Sequence, residues 1–266
     1  MTLSNGVSIL LYGEGASDIC FDQSNNENGL LEMLLQTMIS RALELTKTSW
    51  LQPIVEQWTV EGLKTHCSLI RSNDLTKNVI RKGGKGRFRK GRTNQDPRLL
   101  YFANLSRDLG FKANERQMDF CVFFHDCDEL ELDAVVMNMQ KGFEAVDYRG
   151  GIAMVPNPTS EAWILAAWLN TFCCKQKHIT QSNAQKFEEQ LTHNDRNPRS
   201  AKARLAQCYT GDREQMQLKR DDYHRCIQAI NHEQGWSKIR CLPSMRLFTE
   251  SIDRAIRKRV EDAVRP

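Results

Sequence analysis

No apolar run in the 266-residue sequence is long enough to span a bilayer, so no membrane helix is expected. Met1 to Gly6 have no basic start and no small-residue cleavage site, so no secretory signal is expected either. The cysteines number nine, an odd count, and none of them forms a C-x-x-C pair. Cys173 and Cys174 are adjacent, which is poor zinc-ligand spacing. A disulfide framework and a structural zinc site are thereby disfavoured, and the cysteines read as reduced core filler in a cytoplasmic protein. The G-x-x-x-x-G-K-[ST] spacing is also missing: Gly83-Gly84-Lys85-Gly86-Arg87 has the composition of a phosphate loop without its frame. The chain is therefore not expected to be a P-loop ATPase itself. No internal repeat is present.

What remains is an ordinary globular composition, 40% apolar and 26% charged. The length suits one large domain or two small ones and can bury a substantial core. The net charge of +4 decides little, but its distribution is uneven. Lys77, Arg81, Lys82, Lys85, Arg87, Arg89, Lys90 and Arg92 stand close together with no acid among them. Residues 81–96, rich in Gly, Lys and Arg and poor in apolar side chains, are expected to form a surface loop.

Along the chain, Val7 to Leu11 predicts a buried strand running into the turn Tyr12-Gly13-Glu14-Gly15. Leu30, Leu31, Leu34, Leu35, Met38, Ile39, Ala42 and Leu43 recur at helical spacing. Ile54 to Val60 is read as a second strand, with a helix from Glu61. Pro97 to Leu109 predicts a helix, Asp119 to Phe124 the clearest strand, and Leu130 to Phe143 another helix. Ile152 to Val155 predicts a strand stopped by Pro156-Asn157-Pro158, after which Thr159-Ser160 offers an N-cap for a helix over 161–169. Strands that are apolar on both faces and alternate with helices imply a mostly parallel sheet flanked by helices. From about Cys173 the pattern changes to helices at 181–191, 200–208, 221–231 and 244–260. The expected division is 1–172, with the basic insertion at about 77–96, and a helical region at 173–266.

In parallel sheets the reactive groups sit beyond the carboxyl ends of the strands. Three predicted strands lead into acids there: Glu14 with Asp18, then Asp126 with Asp128, then Glu161. Hard divalent cations take oxygen ligands, and Mg²⁺ commonly uses one or two carboxylates plus water and substrate phosphate. In extended chain, residues two apart share a side, so Asp126 and Asp128 can approach one ion while Cys127 points into packing. Each acid also has an ordinary reading as a loop residue, and Glu161 as a first-turn acid favoured by the helix dipole.

These segments resemble a known family. Val7-Ser-Ile-Leu-Leu-Tyr-Gly-Glu14-Gly15 looks like the first TOPRIM motif, and Phe120-Cys-Val-Phe-Phe-His-Asp126-Cys-Asp128 looks like the second. The spacing from Glu14 to Asp18 is similar to that of TOPRIM nucleases of the OLD type. Pro158-Thr-Ser-Glu161-Ala-Trp163-Ile-Leu165 resembles a segment of small TOPRIM-like proteins often encoded beside ABC-type ATPases in antiphage loci. The resemblance covers roughly residues 5–170. It implies a Mg²⁺- or Mn²⁺-dependent nuclease, with Glu14 as ligand or general acid/base and Asp126 and Asp128 as ligands. Asp18 and Glu161 are the spare ligands a second ion would use. It also implies an ABC-type ATPase partner and an antiviral defence role. The separation between Glu14 and Asp126 exceeds what a minimal TOPRIM core needs, and the basic loop is the natural insertion.

Arg81, Lys82, Lys85, Arg87, Arg89, Lys90 and Arg92 suit phosphate contacts with DNA or RNA that position a strand without reading its sequence. Two rivals stand beside the nuclease. One is a metal-dependent phosphotransfer enzyme, since D-x-D also binds nucleotide-sugar phosphates; a HAD-type phosphatase expects Thr at position 130, where this chain has Leu130. The other is a non-catalytic regulatory subunit that binds nucleic acid or an ATPase. Whether the protein is a homo-oligomer is not legible in the sequence.

Overall fold

The computed structural model describes residues 9–13, 68–69, 96–172 and 179–264. The predicted helix around Leu30 to Leu43, the predicted strand Ile54 to Val60 and the basic residues from Lys77 to Arg92 lie outside these. The described part is an α/β structure with a four-stranded parallel sheet. Strand β1 is Ile9–Tyr12, β2 Ser68–Leu69, β3 Phe120–Phe124 and β4 Gly151–Met154, in the order β2-β1-β3-β4. β1 pairs with β3 with Ile9 opposite Phe120 and Tyr12 opposite Phe123. β3 pairs with β4 with Cys121 opposite Gly151 and Phe124 opposite Met154.

All five residues of β3 are buried, which explains its unbroken apolar sequence. Phe120, Val122 and Phe124, with Ile152 and Met154, face one core cluster. Cys121 and Phe123, with Leu10, Tyr12 and Ala153, face the other. Helices α1 (Pro97–Glu115) and α2 (Leu132–Glu144) cover the second face through Phe102, Leu105, Leu109, Val135, Met139 and Phe143.

α1 starts where Asp96 accepts the Arg98 amide at 2.9 Å, with Pro97 at its first position. It runs six residues beyond the predicted end at Leu109. The prediction stopped before Gly110, a weak helix former. Packing overrides that preference, because a Cβ at Gly110 would stand 2.8 Å from Val146 Cγ2 and only glycine allows the approach.

Helix α3 (Ser160–Thr171) is apolar all round, with Ala162 to Ala167 wholly buried. It lies between the sheet and the C-terminal helices, as such a helix must. Those helices are α4 (Ala184–Glu189), α5 (Ala201–Thr210), α6 (Arg220–Asn231), α7 (Glu233–Ile239) and α8 (Pro243–Val264). α7 was not predicted, because Gly235 interrupts its pattern; a Cβ there would collide with the Ala229 carbonyl, so the glycine is what lets α6 and α7 meet. One bridge, Thr192 to Ser200, is the extended pairing described in this region.

Trp163 of α3 stacks on Phe248 of α8 at 5.7 Å and donates its indole N–H to Ser244 Oγ at 2.7 Å. On the outer side of β4 the Ala153 amide donates to Ser251 Oγ of α8 at 3.2 Å, giving an edge-strand donor a side-chain partner. A single core cluster therefore runs from the sheet through α3 into the C-terminal helices. Among the described residues no helix is long and apolar enough to cross a membrane.

Candidate active site at the carboxyl edge of the sheet

Pro156 and Pro158 have no N–H to offer a ladder, which ends β4, but their carbonyls still accept. The chain after β3 uses them. His125 N–H donates to Met154 O at 3.2 Å, Cys127 N–H to Pro156 O at 3.0 Å and Asp128 N–H to Pro158 O at 3.2 Å. The D-x-D segment is thus held by backbone bonds to the loop that follows β4.

Cys127 is fully buried, and its thiol donates to Leu130 O at 3.0 Å while Leu130 N–H returns to Cys127 O at 3.0 Å. Burial, then the charges of Asp128, Glu188 and Asp126, push that thiol up to about 12, so it stays protonated. Asp128 follows in the left-handed region at φ 54° and is exposed. The chain therefore keeps the expected alternation as far as Cys127, and the turn at Asp128 bends it. Aspartate tolerates this conformation better than most residues.

Asp126 is half-buried, and its Oδ1 accepts the Ser160 amide at 3.2 Å. Thr159 stands at the N-cap position of α3 but makes no capping bond, and its hydroxyl is buried without a hydrogen-bond partner among the described residues. The cap expected from Thr159-Ser160 thus comes from Asp126, 34 residues earlier. His125 Nδ1 lies 2.7 Å from Asp126 O, and the ring packs edge-on to Phe102 at 4.6 Å.

Glu161 occupies the first turn of α3, half-buried, and accepts from Tyr223 Oη of α6 at 3.3 Å. Burial and then the Glu161 charge raise the Tyr223 phenol, so it remains a donor. Arg98 forms a bidentate pair with Asp96 and lies within electrostatic reach of Glu129 and Asp128. His193 Nε2 sits 3.4 Å from Glu129 Oε1.

Behind the edge is an acid that sequence reasoning missed. Glu188 of α4 is 2% exposed. Its Oε1 accepts the Ser244 hydroxyl and the Ser244 amide, the latter at 3.4 Å, and the Asn157 side chain also bonds to the carboxylate. Oε2 is buried with no hydrogen-bond partner among the described residues. Burial, only partly offset by those bonds, raises Glu188 to about 7. No signal in the surrounding polar run marks this residue; its environment is made by Ser244 and Asn157, both remote in sequence.

Of the predicted site residues, Asp126, Asp128 and Glu161 are described, and all follow strands at the same sheet edge. Glu14, Asp18 and the seven basic loop residues lie outside the described residues. β1 enters that edge beside β3, with Gly13 buried at its end. Among the described residues no three His, Cys, Asp or Glu side chains gather at metal-binding distance. The carboxylates still suit a hard cation: Asp126, Asp128, Glu129 and Glu161 are exposed or half-exposed, and the Cys127 thiol is protonated and turned into the core. No protein-family model matches the chain, and neither does any curated protein or solved structure.

Proposed function

We propose that this chain is a Mg²⁺- or Mn²⁺-dependent nuclease with a TOPRIM-like arrangement, in which Asp126 and Asp128, with Glu14, hold the ion. One observation carries the reading: β1 and β3, more than a hundred residues apart in sequence, are direct parallel neighbours whose carboxyl ends align. The strand leading to Glu14 and the strand leading to the D-x-D pair therefore end side by side, as one ion shared between them requires. Parallel sheets concentrate their chemistry at this edge.

When bound, the ion would polarise a phosphoryl oxygen and make water a better nucleophile. The chain's own contribution is positional. The carbonyls of Pro156 and Pro158 fix the D-x-D backbone, and Asp126 is oriented by the Ser160 amide. Glu161, held by Tyr223, is the reserve ligand on the neighbouring helix. The basic residues Arg81 to Arg92 supply phosphate contacts for DNA or RNA. A defence role, an ABC-type ATPase partner and a cytoplasmic setting extend the proposal and rest on the resemblance of residues 158–165 and on the reduced-cysteine reading.

The test is cleavage of plasmid, single-stranded DNA and tRNA by the purified chain with Mg²⁺ or Mn²⁺, with and without a candidate ATPase. Cleavage is expected to stop when EDTA is in excess. Activity undiminished by EDTA sinks the assignment.

A further inference from the structure

Glu188 has no part in the proposed chemistry, yet its surroundings are unusual for a carboxylate. Three separate elements close over it. α4 carries it, Ser244 of α8 donates through hydroxyl and amide, and Asn157 reaches it from the loop between β4 and α3. Among the described residues no Lys, Arg or His pairs with it. The nearby titratable group is the Cys127 thiol, which feels the charges of Asp128, Glu188 and Asp126 together. Glu188 is thus the third acid around one buried sulfur, and the Ser244 and Asn157 bonds offset only part of the cost of burying its charge.

An unpaired buried charge is costly, and such a group holds its proton instead. What that proton controls follows from Asn157. The residues on either side of it, Pro156 and Pro158, accept the amides of Cys127 and Asp128. Whatever holds Asn157 therefore holds the backbone of the D-x-D segment.

We propose that Glu188 is a proton-dependent latch: with its carboxyl protonated it fastens the 156–158 loop and the D-x-D segment to the C-terminal helices, and with the proton lost it loosens them. The latch needs no metal and does not rest on the nuclease reading. Deprotonation releases one proton to solvent and leaves a carboxylate that opens toward water. The ordinary acidity of an exposed carboxyl drives that opening as pH rises.

Amide hydrogen exchange of Cys127 and Asp128, corrected for the intrinsic rate of free chain, reads the latch directly. In the parent protein the opening equilibrium is expected to rise by up to tenfold per pH unit between 4.5 and about 7, then level off. Glu188→Gln, which mimics the neutral acid in shape, is expected to give a flat profile. Identical profiles for parent and variant overturn the proposal. Should the variant not fold, the Glu188 carboxyl carbon in the parent, followed by NMR, decides the matter. Titration near neutrality with the same midpoint as the rise in Cys127 and Asp128 exchange supports the latch, and titration at an ordinary carboxyl value, or without that rise, refutes it.

Discussion

Asp126 caps α3, and the proposed function gives it a second role that a substitution can separate from the first. Its carboxylate stands at the candidate metal edge, and its Oδ1 caps α3 through the Ser160 amide. Asparagine keeps an acceptor oxygen and alanine does not. Asp126→Asn is therefore expected to unfold at nearly the parent temperature in EDTA, whereas Asp126→Ala loses about 1 kcal/mol, the usual value of an N-cap bond. Both should abolish cleavage. Asp128 differs, because at φ 54° its side chain is exposed and its backbone prefers glycine or asparagine. Asp128→Asn and Asp128→Gly are expected to keep the fold at parent stability while losing activity. Thermal unfolding in EDTA, set against a cleavage assay of the four variants, checks the pattern. A large stability loss in Asp128→Gly would assign that residue to structure instead.

Between elements, α1 and α2 pack closely. Gly142 of α2 sits against the backbone of α1, and a Cβ there would meet the Ala103 carbonyl and Ser106 Cβ closer than real atoms approach. The obstacle is backbone, which cannot rotate aside as a side-chain tip does. Gly142→Ala removes a helix-weakening glycine, a gain of about 1 kcal/mol in a free helix. Here the clash wins, and a net loss of about 1–3 kcal/mol is expected from urea unfolding. Stability equal to or above the parent would mean that α1 and α2 slide apart without cost. The sheet edge depends on this contact, since α1 carries Phe102, against which His125 packs beside Asp126.

For the molecule as a whole, Glu188 sets a pH dependence of unusual sign. Its folded value of about 7 lies above the ordinary 4.5, so the folded chain binds a proton that the unfolded chain releases. The contribution is fully present below 4.5 and shrinks as pH rises toward 7; beyond that the loss is complete. The shift corresponds to about 3 kcal/mol in total. Most proteins gain stability over this window as paired carboxylates ionise, and this group opposes that trend. Chemical unfolding at several pH values between 4.5 and 8 is expected to show parent stability falling relative to Glu188→Gln, with the two curves converging at the acid end. Parallel curves across the range count against a raised Glu188.

Amino-acid order alone determined the parts that depend on local period and polarity. β3 and β4 were legible because both faces of the sheet are covered, which turns a strand into a continuous apolar run. α1, α2 and α3 were legible from apolar spacing, helped at α1 and α3 by Pro97 and Pro158, and the position of Asp126, Asp128 and Glu161 at one sheet edge from their place after apolar strands. Local reasoning failed where a distant partner outweighs a local preference: at Gly110 and Gly235, which stay helical because neighbouring chain needs their missing side chains; at Thr159, whose capping role passes to Asp126; and at Asp128, where a turn breaks the extended alternation. Only the tertiary structure decided that β1 lies beside β3, and that Glu188 is sealed in by Ser244 and Asn157. Strand order and burial are set by what packs against a residue, and those contacts come from segments that no local pattern brings together.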